Sequence, residues 1–371
     1  MDKNKKIWGG VAIIVIILGL AWYFQTNKTV PATGEPIKIG VVYGLTGSAS
    51  AWTDYGKKAL EMAAEEINED GGIKGRPLEL VFEDSETNPA KSVSAFQKLV
   101  TIDKVQVVIG DVWSFITNPL IPLADQNKIV LISPTVMNRA VEGASPYFFT
   151  VGHTVEGQRP AVEKFFNINP DIKTASILCW NDAWGKAHSQ LFRQVATEKG
   201  IKILSEECTA DFISTYRTEL LKIKATDADA LLVTSSSPVA LFKAYTDLGL
   251  RQKVLATTIV VDGIEAQGMP REYVKNVWFM DWRPNEEFAR KFEDKYGVYP
   301  ILEAQNHYEA LRSIAKGLEN NPDNLLEGIM KVKYNSADGQ LDFTAGDNTT
   351  VNKAEAKLYT VNPDEGYTEV K

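Results

Sequence analysis

Few side chains in this sequence have the types and spacings that covalent chemistry needs. His153, His188 and His307 are scattered, no zinc-type Cys/His spacing occurs, and the three read as structural or surface groups. The sequence has no phosphate loop ending in Gly-Lys-Ser/Thr and no Gly-x-Ser-x-Gly turn. No nucleophile, base and orienting group form a coherent set, which disfavours a hydrolase. The chemistry that remains is non-covalent. Gly44, Thr46, Gly47, Ser48 and Ser50 form a loop of small and hydroxyl residues directly after the apolar run Ile37–Tyr43. The carboxyl end of a strand is where open α/β sheets hold ligands.

A βαβ unit has to present that loop. Ile37, Ile39, Val41, Val42 and Tyr43 make a β-branched run too short for a helix. A helix is expected from Asp54, with Ala59, Leu60, Ala63, Ala64 and Ile67 on its apolar face. Gly71, Gly72 and Gly75 stop it before Leu78–Phe82 opens the second strand. Val105–Gly110 and Ile129–Ser133 read as strands three and four, with Asn118 and Pro119 opening the helix between them. After Phe148–Val151 a second set of strands follows, Ala175–Cys179, Lys202–Glu206, Ala230–Thr234 and Val254–Thr257, with helical patterns between them. Ser235, Ser236 and Ser237 end the third of these and read either as hydroxyls for a ligand or as a turn and helix cap. Cys179 and Cys208 fall on neighbouring strands. They are either a disulfide or two buried thiols, and the thiol reading is favoured because spacing across parallel strands often fails the geometric requirement.

The loop Gly44-Leu45-Thr46-Gly47, Trp52 just before the expected helix, the stretch Ile67 to Gly75 and the Asp182, Trp184, Gly185 loop together resemble the type I periplasmic solute-binding proteins, specifically the branched-chain amino acid (leucine/isoleucine/valine) binding family. The resemblance covers roughly residues 37–370. It implies an α/β fold of two doubly wound parallel-sheet lobes joined by a three-strand hinge, with Phe148–Val151 at the first crossover. Lobe 1 would be residues 37–152 plus 283–338, and lobe 2 residues 153–282 plus 339–371. A ligand would sit between the lobes, met by loop hydroxyls, backbone N–H groups and an aromatic wall. Trp52 matches the wall position of the first lobe and Ser114 the hydroxyl that meets a ligand carboxylate. Trp113 and Phe115 flank Ser114 and are expected to split, one toward the cleft and one toward the core. Trp184 would face the cleft from the second lobe, Ser236 could offer a hydroxyl, and Asp262, near the end of that lobe's fourth strand, would receive a ligand ammonium. One stretch departs from the family. In Ser133-Pro134-Thr135-Val136-Met137 the usual hydroxyl is displaced to Thr135, with Val136 beside it, so a grip on the amino-acid head group is lost or moved. An aromatic or amide-like ligand is therefore weighed against an α-amino acid.

The chain has 371 residues, 44% hydrophobic and 24% charged, enough for two separate cores. Beyond residue 36 it carries 36 basic and 46 acidic residues without a basic stripe, which argues against nucleic acid. Residues 1–36 set the compartment. Ile7–Phe24 is an uncharged run of 18 residues preceded by Lys3, Lys5 and Lys6, about 27 Å as a helix and long enough for a bilayer core. Flanking lysines hold that end in the cytoplasm, so the body is exported. A cleaved signal peptide and a retained transmembrane anchor both fit. The anchor is favoured because Trp22, Tyr23 and Phe24 form an interfacial aromatic cluster. The expected function is a membrane-tethered extracytoplasmic binding protein that hands a small-molecule ligand to the permease and ATPase of an ABC importer, with no cofactor and no enzymatic step. The alternative is the binding subunit of a sensing complex.

Overall fold

The computed structural model describes residues 32–371 apart from 112, 135–140, 142, 337–338, 347, 349–351, 363 and 365. The apolar run Ile7–Phe24 and the candidates Thr135 and Val136 lie outside the described residues. Among those residues no helix is long and apolar enough to cross a membrane.

The first half runs β1 (Ile37–Tyr43), α1 (Ser50–Glu69), β2 (Leu78–Asp84), α2 (Pro89–Thr101), β3 (Val107–Ile109), α3 (Ser114–Thr117), α4 (Ile121–Asn127), β4 (Val130–Ser133) and β5 (Phe148–Thr150). Its strands form one parallel sheet in the order β2-β1-β3-β4-β5. Helices pack on both faces. Ile39 and Val41 of β1 share a core with Leu60 and Ala63 of α1, whereas Val42 meets Phe96 and Leu99 of α2. A strand buried on both sides reads as a continuous apolar run, which is why β1 was visible in the sequence.

The second half repeats the plan with α5 (Arg159–Ile168), β6 (Thr174–Trp180), α6 (Ala183–Glu198), β7 (Lys202–Thr209), α7 (Arg217–Thr226), β8 (Ala230–Val233), α8 (Pro238–Asp247), β9 (Lys253–Ala256), α9 (Ile259–Gln267) and β10 (Val277–Asp281). Its parallel strands lie in the order β7-β6-β8-β9-β10, the first sheet's order again. The remaining elements are α10 (Glu286–Tyr296), α11 (Leu302–Asn320), α12 (Leu325–Ile329), the hairpin β11 (Lys333–Ser336) and β12 (Gly339–Asp342), β13 (Lys357–Asn362) and β14 (Gly366–Glu369). The last two extend the second sheet antiparallel beyond β10, whereas α11 packs along α1 of the first half.

The chain therefore passes between the sheets three times: after β5, after β10, and between β12 and β13. Trp282 ties the passages together. Its ring stacks on His153 of the first passage with centroids 4.3 Å apart, and its indole N–H donates to the Ala354 carbonyl of the third at 3.0 Å.

Several expectations need correction. Helix α1 starts at Ser50 rather than Asp54, so Trp52 lies in its first turn and not in the loop before it. Its start is held by tertiary bonds, the Ala49 N–H donating to Thr87 Oγ1 at 3.0 Å and Thr53 Oγ1 to the Gly44 carbonyl at 2.6 Å. The helix after β3 opens at Ser114, and Asn118–Leu120 is a 3-10 turn between it and α4. Asp262 lies on α9, not at a strand end. Cys179 and Cys208 are bonded to each other rather than left as thiols. They stand directly opposite in the β6/β7 register, with Cα atoms 4.4 Å apart, and that alignment overrides the general objection to parallel neighbours. All three histidines are buried and none is a surface group.

Candidate ligand-binding site

The identical strand order places a topological switch point in each sheet, between β1 and β3 and between β6 and β8, and crevices at such points hold ligands. Loops from both converge on one cavity. From the first half it is lined by Trp52, Trp113, Ser114 and Pro134, from the second by Trp180, Asp182, Trp184, Ser235, Pro238, Thr258, Ile259 and Asp262, and from α11 by Glu303 and Asn306. The cavity volume is about 50 Å3, so the space suits a compact molecule.

Asp111 fixes the first-half loops. Its carboxylate accepts the Gly44 N–H at 2.6 Å and the Trp113 N–H at 3.1 Å, tying the loop after β1 to the loop after β3. Trp113 is then held edge-on to Trp52 at 5.2 Å and, across the cleft, to Trp180 at 5.1 Å and Phe212 at 5.7 Å, geometries that aromatic quadrupoles favour. Phe115 also meets Trp180, at 5.9 Å. Trp113 and Phe115 thus join one aromatic cluster instead of splitting between cleft and core.

Asp182 caps α6 by accepting the Gly185 N–H at 2.6 Å. Gly185 has to be glycine, since a Cβ there would lie 2.1 Å from the Trp180 carbonyl oxygen. The other Asp182 oxygen accepts the Ser114 hydroxyl at 3.3 Å, a bond from one half of the molecule to the other. A second such bond runs from the Tyr55 hydroxyl of α1 to the Glu265 carbonyl of α9 at 2.8 Å. Trp184 is steadied by His188, whose ring lies 4.2 Å away and whose Nδ1 sits 2.8 Å from the Trp184 carbonyl. Burial lowers His188 to about 4, so this imidazole is neutral.

Acidic groups dominate the polar lining. Burial raises Asp182 to about 6 against the N–H and hydroxyl bonds it accepts. Asp262, 6% exposed, is pushed well above the usual carboxylate range by burial and then by the neighbouring Glu303 and Asp281, partly offset by a hydrogen bond from the Trp52 side chain. Burial raises Glu303 to about 7, with Asp281 adding to it. Asp262 Oδ1, Glu303 Oε2 and the Trp113 indole nitrogen are buried without a hydrogen-bond partner, so acceptors and a donor await the complementary groups of a ligand.

Of the sequence candidates, Trp52, Trp113, Ser114, Trp184 and Asp262 are brought to this cavity. Ser236 is not. Its hydroxyl accepts the Phe212 N–H at 2.8 Å behind the wall, and Ser235 lines the space in its place. Among the described residues the single grouping of potential metal ligands, Cys179, Glu206 and Cys208, has its two sulfurs engaged in the disulfide.

A model of the periplasmic binding protein family matches residues 36–366. The chain belongs to that family. It has the type I α/β fold of the branched-chain amino acid binding proteins. It is 28% identical over 198 residues to Leu/Ile/Val-binding protein homolog 3 of Brucella melitensis, a match spanning about half (53%) of each chain. It is 24% identical over 365 residues to the leucine-, isoleucine-, valine-, threonine- and alanine-binding protein of Pseudomonas aeruginosa, spanning 92% of this chain and 93% of that one. In fold it is similar to a solute binding protein of an ABC transporter from Rhodopseudomonas palustris solved with p-hydroxybenzoic acid, with a TM-score of 0.78 at 18% identity over 91% of this chain and 96% of that one. Family motifs gave Trp52, Ser114 and the Asp182–Gly185 loop, but not Trp180, Thr258, Glu303 or Asn306. Trp180 could have been found as the residue closing β6 at its switch point. Glu303 and Asn306 carry no local signal, because α11 reaches the site only through its packing on α1.

Proposed function

We propose that this chain is an extracytoplasmic solute-binding protein that captures a small molecule, an amino acid or a related amide or aromatic compound, and delivers it to the permease and ATPase of an ABC importer. The observation that carries this reading is the aromatic and acidic cavity fed by equivalent switch points of both sheets. The lobes are residues 37–152 with 283–352 and residues 153–282 with 353–371. The third boundary is drawn after Asn352, not at residue 338, because β11 and β12 pair with each other, Phe343 packs 5.9 Å from Phe149 and Asn352 bridges to Leu341. A ligand held by one lobe gains contacts from the other, binds the closed state better and shifts the population toward it. Closure presents one joined surface to the permease. Ile7–Phe24 tethers the protein to the membrane it serves, and the intact mass of the mature protein tests this, since a product starting near Trp22 rules the tether out.

Mass spectrometry of small molecules released by denaturing freshly purified protein identifies the ligand. Adding it back to stripped protein is expected to compact the particle in small-angle scattering and to change tryptophan fluorescence. A protein that releases nothing and responds to no member of a solute panel would not be a solute carrier.

A further inference from the structure

The cavity is chemically one-sided. Asp182, Asp262 and Glu303 reach it from three different elements, and no lysine, arginine or histidine stands among its described lining residues. Asp262 is 6% exposed and its Oδ1 has no partner, and Glu303 Oε2 has none either. Around them stand the indoles of Trp52, Trp113, Trp180 and Trp184, and the faces of such rings attract cations.

We propose that this site selects a compact organic ammonium ion without a carboxylate, its N–H groups on Asp262 and Glu303 and one uncharged oxygen facing the Trp113 indole N–H. This rests on the solute-binding reading and narrows it. Among the described lining residues, a carboxylate entering here would meet several donors that are already engaged. The Gly185 and Trp113 backbone N–H groups serve Asp182 and Asp111. The Ser114 hydroxyl serves Asp182, and Ser235 Oγ shares its bonds with the Tyr216 hydroxyl and the Ser237 N–H. One indole N–H, with the Thr258 hydroxyl beside it in the lining, does not offset the desolvation of an anion. An ammonium, in contrast, supplies the charge that lets two buried carboxyls ionise side by side.

That coupling makes binding depend on pH. Asp262 faces Glu303 from α11, Asp281 from β10 and the Trp52 N–H from α1. Glu303 faces Asp281 and lies within the field of the Tyr43 hydroxyl. Asp281 is itself held by the Trp282 N–H at 2.8 Å and by Arg283 at 3.8 Å, so it stays with its own partners. Asp182 faces Asp211 and Ser114. Deprotonation of Asp262 and Glu303 strengthens cation binding, and affinity rises with pH.

The test is calorimetry and thermal shift on the full chain with three probe sets: isoamylamine, tyramine and ethanolamine as ammonium ions, leucine, benzoate and 4-hydroxybenzoate as carboxylates, and benzamide and isobutyramide as neutral amides. At least one ammonium probe is expected to bind, with affinity rising roughly tenfold between about pH 5.5 and about pH 8. Asp262→Asn is expected to weaken that probe by at least roughly tenfold, with the circular dichroism and unfolding midpoint of the ligand-free protein retained. Binding of carboxylates with the amines silent, or of amides with no pH dependence, overturns the ammonium assignment and leaves the solute-binding reading standing. Silence from every probe is decided by the molecule released on denaturation: an amine supports the proposal, a carboxylate or neutral compound overturns it, and nothing at all overturns both readings.

Discussion

Trp52 does two jobs with one side chain. Its ring forms part of the aromatic wall, edge-on to Trp113, and its side chain hydrogen-bonds Asp262. Because the residue is buried, truncation to alanine would open a core cavity as well as the site, so phenylalanine is the sharper probe. Trp52→Phe keeps most of the wall and removes the N–H. It is expected to weaken ligand binding by about 1–2 kcal/mol, read by calorimetry, and unchanged affinity would mean the Trp52–Asp262 bond plays no part in recognition. Glu303 offers a stability readout. Its carboxyl, raised to about 7 by burial, titrates well above an unfolded Glu near 4.3. The folded state therefore binds the proton more tightly. This contribution is fully present below about pH 4.3 and is lost as pH rises through about 7, an effect on the order of 3 kcal/mol. In Glu303→Gln it vanishes, so the variant's melting temperature relative to the parent should climb between about pH 4.5 and about pH 8. A parallel pair of melting curves across that range would place Glu303 in contact with water.

At the scale of elements, β7 is the outer parallel strand of the second sheet, its residues alternating between exposed and half-buried over most of its length. The bond from Cys179 to Cys208, 29 residues apart, fastens that edge to β6. Replacing both cysteines with serine is expected to cost about 3–4 kcal/mol by loop closure in the unfolded chain, measured by denaturant titration of parent and variant, and a loss near zero would show the edge strand to be secured by its ladder alone. The same elements show what the sequence could and could not tell. Strands β1, β4, β6, β8 and β9 were legible because burial on both faces demands unbroken apolar runs. Helix starts were not. Asp54 and Asn118 look like caps, yet α1 and α3 begin four residues earlier, where the Ala49 N–H bond to Thr87 and packing in the aromatic cluster decide the matter. Aromatic site residues could be read from strand ends and family motifs, whereas the acid on α11 arrives from a distant helix that no local pattern ties to the cleft.

At the scale of the whole molecule, two sheets of the same strand order face each other across one cleft, bridged by Ser114 to Asp182 on one side and Tyr55 to Glu265 on the other. On the hinge motion proposed above, both bridges join groups that would separate as the lobes open, which assigns them to the closed form. Tyr55→Phe removes one of them without touching the cavity lining, and is expected to lower ligand affinity by about 0.5–1.5 kcal/mol with an unchanged ligand preference, read by calorimetry with any bound solute. A changed preference would place Tyr55 in recognition instead. Trp282 bears on how such opening can proceed. Three separate chain passages, each able to swivel on its own, would give a floppy joint with many relative orientations. One indole stacked on His153 and bonded to Ala354 couples them, leaving something nearer a door hinge with a single axis. Fluorophores placed on the outer ends of α2 and α7 should then report two discrete distances, exchanged as a unit, and Trp282→Ala should smear them into a continuum.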